Sequence, residues 1–328
     1  MLNKNLKLNP KMFQDDIEQI PTRFGYGDGL VIAGQENPNI VALCADLTDS
    51  TKTSVFKKEF PERFIEVGIT EQNMASLASG MAAAGKVPFI SSYAMFSPGR
   101  NWEQIRTTIC YNNQNVKIAG AHSGVSVGPD GATHQAIEDM ALTRVIPNMT
   151  VIAPCDAIEA KKATIAAAKH KGPVYIRFTR EKTPVMTTEE TPFEIGKTEV
   201  YREGKDVTII ACGPLLYEAL KAAEKLSKEG IECEVINNHT IKPMDKEMIL
   251  KSVKKTGCVV TIEEHQAAGG MGSAVCEILS QNYPAPVEVM GIQDRFGESG
   301  EPNELLKVFG LTAEEIVKAA KRVIKRKS

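Results

Sequence analysis

The chain of 328 residues carries 39 Lys and Arg against 41 Asp and Glu, a formal net charge of -2, with 42% apolar residues. That length suits about two domains and a substantial core, and the near balance of charge gives no electrostatic reason to expect nucleic acid or an acidic membrane as partner. No apolar run approaches the roughly 18 residues needed to span a bilayer, and the polar stretch 1–19 lacks the apolar core and cleavage site of a signal peptide, so a cytoplasmic location is expected.

Short β-rich runs alternate with helix-length segments through the first half of the chain. Strands are expected at 40–45, 63–67, 87–91, 116–121, 150–153 and 174–178, with helices at 24–35, 71–84, 102–111, 134–144 and 157–169. Such alternation requires crossover connections and gives a mainly parallel sheet. From 180 to 206 the chain turns polar, rich in Thr, Glu and Lys and broken by Pro184 and Pro192, which reads as an interdomain linker. A second α/β unit follows, with strands at 207–211, 232–236, 258–263 and 287–291 and helices at 215–228, 245–254, 272–281 and 313–325. The expected fold class is α/β in two domains, each a mainly parallel sheet flanked by helices: a first domain at 15–182, a linker at 183–206 and a second domain at 207–328. The seven cysteines are widely spaced, odd in number and contain no Cys-x-x-Cys pair. They read as reduced core thiols, with neither a structural zinc nor a disulfide framework.

Glu71 lies in Gly68-Ile69-Thr70-Glu71-Gln72-Asn73-Met74, where a short strand-like run meets a helix built almost wholly of Ala, Ser, Gly, Leu and Met. A helix apolar on all sides is normally buried. Its first-turn carboxyl is then expected to be buried with it and to keep its proton more readily than in water. The plainer reading is a helix-start acid favoured by the macrodipole. Asp46, Glu71, Tyr93, His122 and Arg180 each follow the C-terminal end of a different expected strand, and ligands of open α/β sheets bind at that edge. Loops carry polar residues in any case, so this clustering needs support from elsewhere.

The Glu71 segment resembles the one that carries the catalytic glutamate of thiamine-diphosphate enzymes, specifically the second half of transketolase. Ser123-Gly124-Val125-Ser126-Val127-Gly128-Pro129-Asp130-Gly131-Ala132-Thr133-His134-Gln135 is a long and specific match to the same family. The resemblance covers nearly all of 15–328, as a pyrimidine-binding domain, a linker and a transketolase C-terminal domain. It implies thiamine diphosphate as cofactor and a carboxylic acid at Glu71 that hydrogen-bonds N1′ of the aminopyrimidine. The cofactor's own 4′-imino nitrogen can then remove the weakly acidic C2 proton, a role that needs a low-dielectric carboxyl able to share a proton. Tyr93 and Phe96 would lie against the pyrimidine ring, with ordinary core packing as the alternative, and Asp46 near the cationic thiazolium.

Thr22-Arg23 ahead of Ala45-Asp46-Leu47-Thr48-Asp49-Ser50 is similar to the pattern of sugar-phosphate transketolases. The resemblance implies that Arg23, Ser50, His122 and Arg180 bind the substrate phosphate, for which arginine offers a planar fork of donors. Asp130 and His134 would read the sugar hydroxyls, and His134 joins Glu71 among the implied catalytic residues. The implied activity moves a two-carbon ketol unit between sugar phosphates of the pentose-phosphate type.

A complete enzyme of this kind also has an N-terminal domain that binds Mg²⁺ and the diphosphate, and no matching motif with hard oxygen ligands is found here. The chain therefore resembles the C-terminal subunit of a split transketolase. It would form a heterotetramer with a separate N-terminal subunit that supplies the magnesium ligands, with self-association as well and the helix after Glu71 in the interface. The alternative enzyme is the β subunit of a 2-oxo acid dehydrogenase or another split thiamine-diphosphate enzyme, against which the four phosphate-binding groups argue. A non-catalytic regulatory subunit is the other alternative, against which Glu71 and His134 argue.

Several motifs read as structural. Gly27-Asp28-Gly29 imitates the start of a diphosphate–magnesium motif but sits inside a helix pattern. Gly269-Gly270-Met271-Gly272-Ser273 hints at a nucleotide loop, a weak signal on its own, and reads as a strand-to-helix turn. His170 is expected to be solvated, and His239 and His265, with the run Glu263-Glu264-His265, have no evident chemical role.

Overall fold

The computed structural model describes residues 1–327. Its strands, in chain order, are β1 Gln19–Pro21, β2 Ile40–Cys44, β3 Phe64–Glu66, β4 Val87–Tyr93, β5 Lys117–Ala121, β6 Thr150–Ile152, β7 Val174–Arg177 and β8 Lys182–Pro184. They continue with β9 Glu199–Arg202, β10 Val207–Ala211, β11 Cys233–Asn237, β12 Thr240–Lys242, β13 Val259–Gln266 and β14 Val287–Ile292. The first domain is built on a sheet of order β12-β6-β7-β5-β4-β2-β3, parallel except for β12. The second sheet has the order β14-β13-β10-β11-β9 and is parallel except for β9. Central strands such as Ile-Val-Ala-Leu-Cys of β2 are buried along their whole length, as a parallel sheet covered by helices on both faces requires.

Helix Thr22–Glu36 lies close against helix Ala157–Lys169. A Cβ at Gly25 would come within 1.8 Å of the Ala157 carbonyl oxygen, and one at Gly29 within 2.7 Å of that of Lys161. Gly29 is therefore there for helix packing and Gly27 for close approach to the Lys52 carbonyl oxygen, 2.9 Å from a Cβ at that position, which accounts for the Gly27-Asp28-Gly29 imitation.

Two expectations change, and the segment expected as a linker is seen to be well ordered. The helix expected at 134–144 begins only at Asp139. The residues before it fold back onto their own loop, with Gly124 N–H donating to the Ala136 carbonyl and His134 N–H to that of Gly131. Helix Glu71–Ala83 is not buried all round: Met74, Ala75 and Ala78 are inside, while Leu77 and Gly80 are exposed. The polar segment 183–206 is ordered throughout, since β8 pairs with β1, β9 closes one edge of the second sheet, and Met186 and Tyr201 are fully buried. Residues near the N-terminus also fold in, with Leu6 and Met12 buried in the core of the second domain. All seven cysteines are free and all but Cys276 are buried. Among the described residues no helix is long and apolar enough to cross a membrane.

The domains meet at a buried carboxylate pair. Asp156 accepts the amides of Glu159, Met186 and Thr187, while Glu159 accepts the Cys155 amide at 2.6 Å and Asn237 Nδ2 of β11 at 2.7 Å. Burial, reinforced by the Asp156 charge, pushes Glu159 up to about 7. A folded pKa above the unfolded value of 4.5 gives a contribution to stability that is complete below pH 4.5 and is lost as pH rises through 7. Glu159→Gln removes that loss, and once the Asn237 amide rotates by 180° the new N–H₂ donates to Asn237 Oδ1, which among the described residues is buried without a partner. The variant should melt several degrees above the parent at pH 8 and level with it at pH 5. A lower melting temperature at pH 8 would contradict this reading.

Candidate active site

Because β2, β3, β4, β5 and β7 run parallel, their C-terminal ends share one edge. The segments leaving that edge carry Asp46, Glu71, Tyr93, His122 and Arg180, in the placement the sequence implies.

Glu71 opens helix Glu71–Ala83 and is 3% exposed. Asn101 Nδ2 donates to its main-chain carbonyl at 3.1 Å and so fixes the helix start. The carboxylate is not held alone in an apolar pocket, as expected, but accepts Arg100 Nη1 at 3.2 and 3.3 Å. The same guanidinium lies over Phe96, with its carbon 4.1 Å from the ring centroid. Arg100 thus engages both an acceptor and an aromatic face. Nothing in the sequence marks it beyond its place four residues after Phe96, and a turn brings it back across to Glu71.

Tyr93 stacks on His122, with centroids 3.9 Å apart and planes 25° apart, and lies 5.8 Å from Phe96. It therefore joins the aromatic side of the site to the cationic side. His134 meets Phe96 edge-on at 5.4 Å, and its Nδ1 lies 2.9 Å from Thr133 Oγ1.

The cationic side is centred on Arg23. Its Nη1 donates to the Ser50 main-chain carbonyl at 2.9 Å and to His122 Nε2 at 3.2 Å. Ser50 therefore contributes its backbone to this arrangement rather than its hydroxyl. Burial first, then the Arg23 and Arg180 charges, push His122 down to about 3, so its ring is neutral and accepts at Nε2. Burial and the Arg180 charge also lower the pKa of Arg23. Among the described residues, Arg23 Nε and His122 Nδ1 are both buried with no hydrogen-bond partner. Buried donors are rarely left unmatched, and these are of the kind that an anionic or hydroxylated ligand satisfies.

Arg180 Nη1 donates to the Val127 carbonyl at 2.9 Å and pairs with Asp130 Oδ1 at 3.1 Å, while its Nε lies 3.6 Å from Glu181. The loop 123–135 thus holds the arginine directly. Asp46 is exposed and left-handed in φ, and its amide donates to Glu66 Oε1 at 2.7 Å. Glu66 also accepts from Thr48 and Gly68, tying together the loops after β2 and β3.

The other motifs resolve into structure. The amides of Met271 and Gly272 donate to the two Glu263 carboxylate oxygens at 2.7 and 2.8 Å, so the Gly-rich turn already holds an anion of its own. His239 is fully buried against Phe193, and His265 is buried between Gln266 and Ala141. His170 is half-buried beside Thr150 rather than solvated.

Two family models match, the transketolase pyrimidine-binding domain over residues 18–186 and the transketolase C-terminal domain over residues 196–316. The chain belongs to the transketolase family. A putative transketolase C-terminal section from Methanocaldococcus jannaschii is 46% identical to it over 307 residues, covering 93% of this chain and 96% of the relative. A 6-deoxy-6-sulfo-D-fructose transketolase subunit from a Clostridium species is 42% identical over 316 residues, covering 96% and 98%. A solved structure described as a split-gene transketolase, an inactive β4 tetramer, shares 49% identity and a TM-score of 0.89, covering 94% of this chain and all of that one. Within the transketolases, the chain falls with the C-terminal subunits of split enzymes.

Proposed function

We propose that this chain is the pyrimidine-binding, C-terminal subunit of a cytoplasmic, thiamine-diphosphate-dependent transketolase that moves a two-carbon ketol unit between sugar phosphates. It works as a heterotetramer with a separate N-terminal subunit, which supplies the Mg²⁺ ligands. The observation that carries this reading is the pairing, on one sheet edge, of the buried Glu71 carboxylate beside the Phe96 face with the Arg23 and Arg180 guanidinium groups around the neutral His122 ring.

Glu71 and Phe96 suit an aminopyrimidine, offering an acceptor and a flat apolar face. Arg100 engages both in this chain and is half exposed, so it turns into solvent to admit the ring. Bound thiamine diphosphate supplies the carbon nucleophile of the reaction. Glu71 would hold the aminopyrimidine and be able to share a proton with it, Tyr93 and Phe96 would lie against that ring, and Asp46 would add negative charge at the same edge. His134, oriented through Thr133, presents its other ring nitrogen to the substrate. Arg23, His122, Arg180 and the hydroxyl of Ser50, whose carbonyl already holds Arg23, would take the phosphate, and Asp130 would read a hydroxyl once Arg180 has a phosphate to hold. A 2-oxo acid brings one carboxylate, which a single guanidinium fork satisfies, and no sugar phosphate to occupy both arginines, which argues against the dehydrogenase alternative.

The exposed face of helix Glu71–Ala83, with Gln72, Asn73, Ser76, Leu77 and Gly80, and the neighbouring Ile69 at 67% exposure fit a subunit interface. The chain alone is expected not to hold thiamine diphosphate and Mg²⁺ tightly. Calorimetric titration should show tight binding only after the N-terminal subunit is added. Tight binding by the purified single chain would overturn the division of labour.

A further inference from the structure

The loop 123–135 carries Asp130, His134 and the Val127 carbonyl that holds Arg180, yet little regular structure supports it. Its short 3-10 turn Val125–Asp130 is interrupted at Gly128, with φ 83° and ψ -122°. Gly124 and Gly131 are also left-handed. Such a loop would be costly to order on its own; Ser123 is tied to Phe178 of the first domain, and the rest of its anchoring comes largely from the second domain.

Glu264, near the end of β13, is 4% exposed, and its Oε1 accepts the Ser126 amide at 2.5 Å. The carboxylate lies so close to the chain that a Cβ at Gly124 would be 2.3 Å from Oε1. Gln135 Nε2 then ties the two ends of the loop together, donating to the carbonyls of Val125 at 3.0 Å, Gly128 at 3.3 Å and, across the domain boundary, Glu298 at 2.9 Å. Pro302 and Ser299 press on Gly128 and Gly131. A carboxylate buried among these groups is unfavourable unless it satisfies donors that an apolar side chain could not. Here it receives a loop amide one residue before Val127, whose carbonyl is the Arg180 acceptor.

We infer that Glu264 is a positioning residue for the substrate. Through Ser126 it fixes the Val127 carbonyl and Asp130, and so sets the Arg180 guanidinium against the anionic group of the sugar. This gives the second domain a part in the reaction without touching the reacting atoms. The inference rests on the sugar-phosphate reading of Arg180.

The test uses the reconstituted complex and two donors, xylulose 5-phosphate and the unphosphorylated hydroxypyruvate. Glu264→Asp keeps the charge but withdraws it by one carbon. It should raise KM for xylulose 5-phosphate about tenfold, the scale of one lost hydrogen bond to a charged group, with hydroxypyruvate kinetics unchanged. Glu264→Gln keeps an acceptor oxygen and should stay within about twofold of the parent. Amide hydrogen exchange in the single chain should be faster at Ser126 and on to Asp130 in Glu264→Asp, with His134 and Gln135, which have their own contacts, unchanged, a readout independent of any activity. Equal losses on both donors, an unchanged KM for the phosphorylated donor, unchanged exchange, or Glu264→Gln as damaged as Glu264→Asp would each overturn the inference. Arg180→Ala, run in parallel, judges the sugar-phosphate reading separately. A selective loss there without one in Glu264→Asp sinks only the role of Glu264.

Discussion

Glu71→Gln should slow exchange of the C2 proton of thiamine diphosphate in the reconstituted enzyme by on the order of a hundredfold or more. The two side chains match in size and hydrogen-bonding capacity, but an amide cannot pass a proton to and from the pyrimidine. Folding should survive. The helix start is held by Asn101 on the Glu71 main-chain carbonyl, which the substitution leaves in place. The ion pair it removes reaches a half-exposed Arg100, and pairs open to solvent contribute little to stability. Hydrogen–deuterium exchange at C2 reads the effect directly, and an unchanged rate would remove Glu71 from the mechanism.

Arg180→Ala should reduce kcat/KM for phosphorylated ketoses and acceptors while leaving hydroxypyruvate turnover, measured with an unphosphorylated aldehyde such as glycolaldehyde as acceptor, nearly intact. Losing a charged hydrogen bond to phosphate costs about 1.5–3 kcal/mol, roughly a ten- to hundredfold fall. The competing explanation is a structural arginine, and the geometry gives it substance: Arg180 already has the Val127 carbonyl and Asp130 as partners, with Glu181 further away. If those contacts were the purpose of Arg180, its loss would disturb the loop that also carries His134 and would harm both donors alike. Steady-state kinetics with xylulose 5-phosphate and hydroxypyruvate separate the two. Equal losses would remove the main reason for preferring a sugar-phosphate transketolase over a 2-oxo acid dehydrogenase.

The parts of the fold legible in the sequence are those whose signal is local. The apolar runs of β2 and β10 announce strands buried on both faces, and the helix between Asp156 and His170 is bounded by its own cap, with Asp156 accepting the Glu159 amide. The short antiparallel strands are not legible. β1 finds its partner β8 about 160 residues away, and β12 leaves the second half of the chain to close the first sheet. Strands this short carry no periodicity of their own, and unlike β3 and β6 these have no alternation with helices to mark them. Helix Glu71–Ala83 misleads because small apolar residues look the same on a buried face and on one left open, and the helix expected at 134–144 is shortened because backbone contacts with loop 123–135 compete for its first residues.

The candidate site divides in the same way. Its residues at strand ends could be located from the strands and the family resemblance, since a parallel sheet brings those ends together. Arg100, Glu66 and Glu264 could not, because each acts through a partner that only the folded chain brings near. Arg100 reaches Glu71 across 29 residues, and Glu264 reaches Ser126 across 138.

The most direct test of the account is ketol transfer from xylulose 5-phosphate to ribose 5-phosphate, measured for this chain, for the complementary N-terminal subunit, and for the two mixed in equal amounts with thiamine diphosphate and Mg²⁺. The account predicts no transfer by either chain alone and robust transfer by the mixture. Robust turnover by the highly purified single chain, or a mixture that consumes pyruvate but not the ketose phosphate, would contradict it.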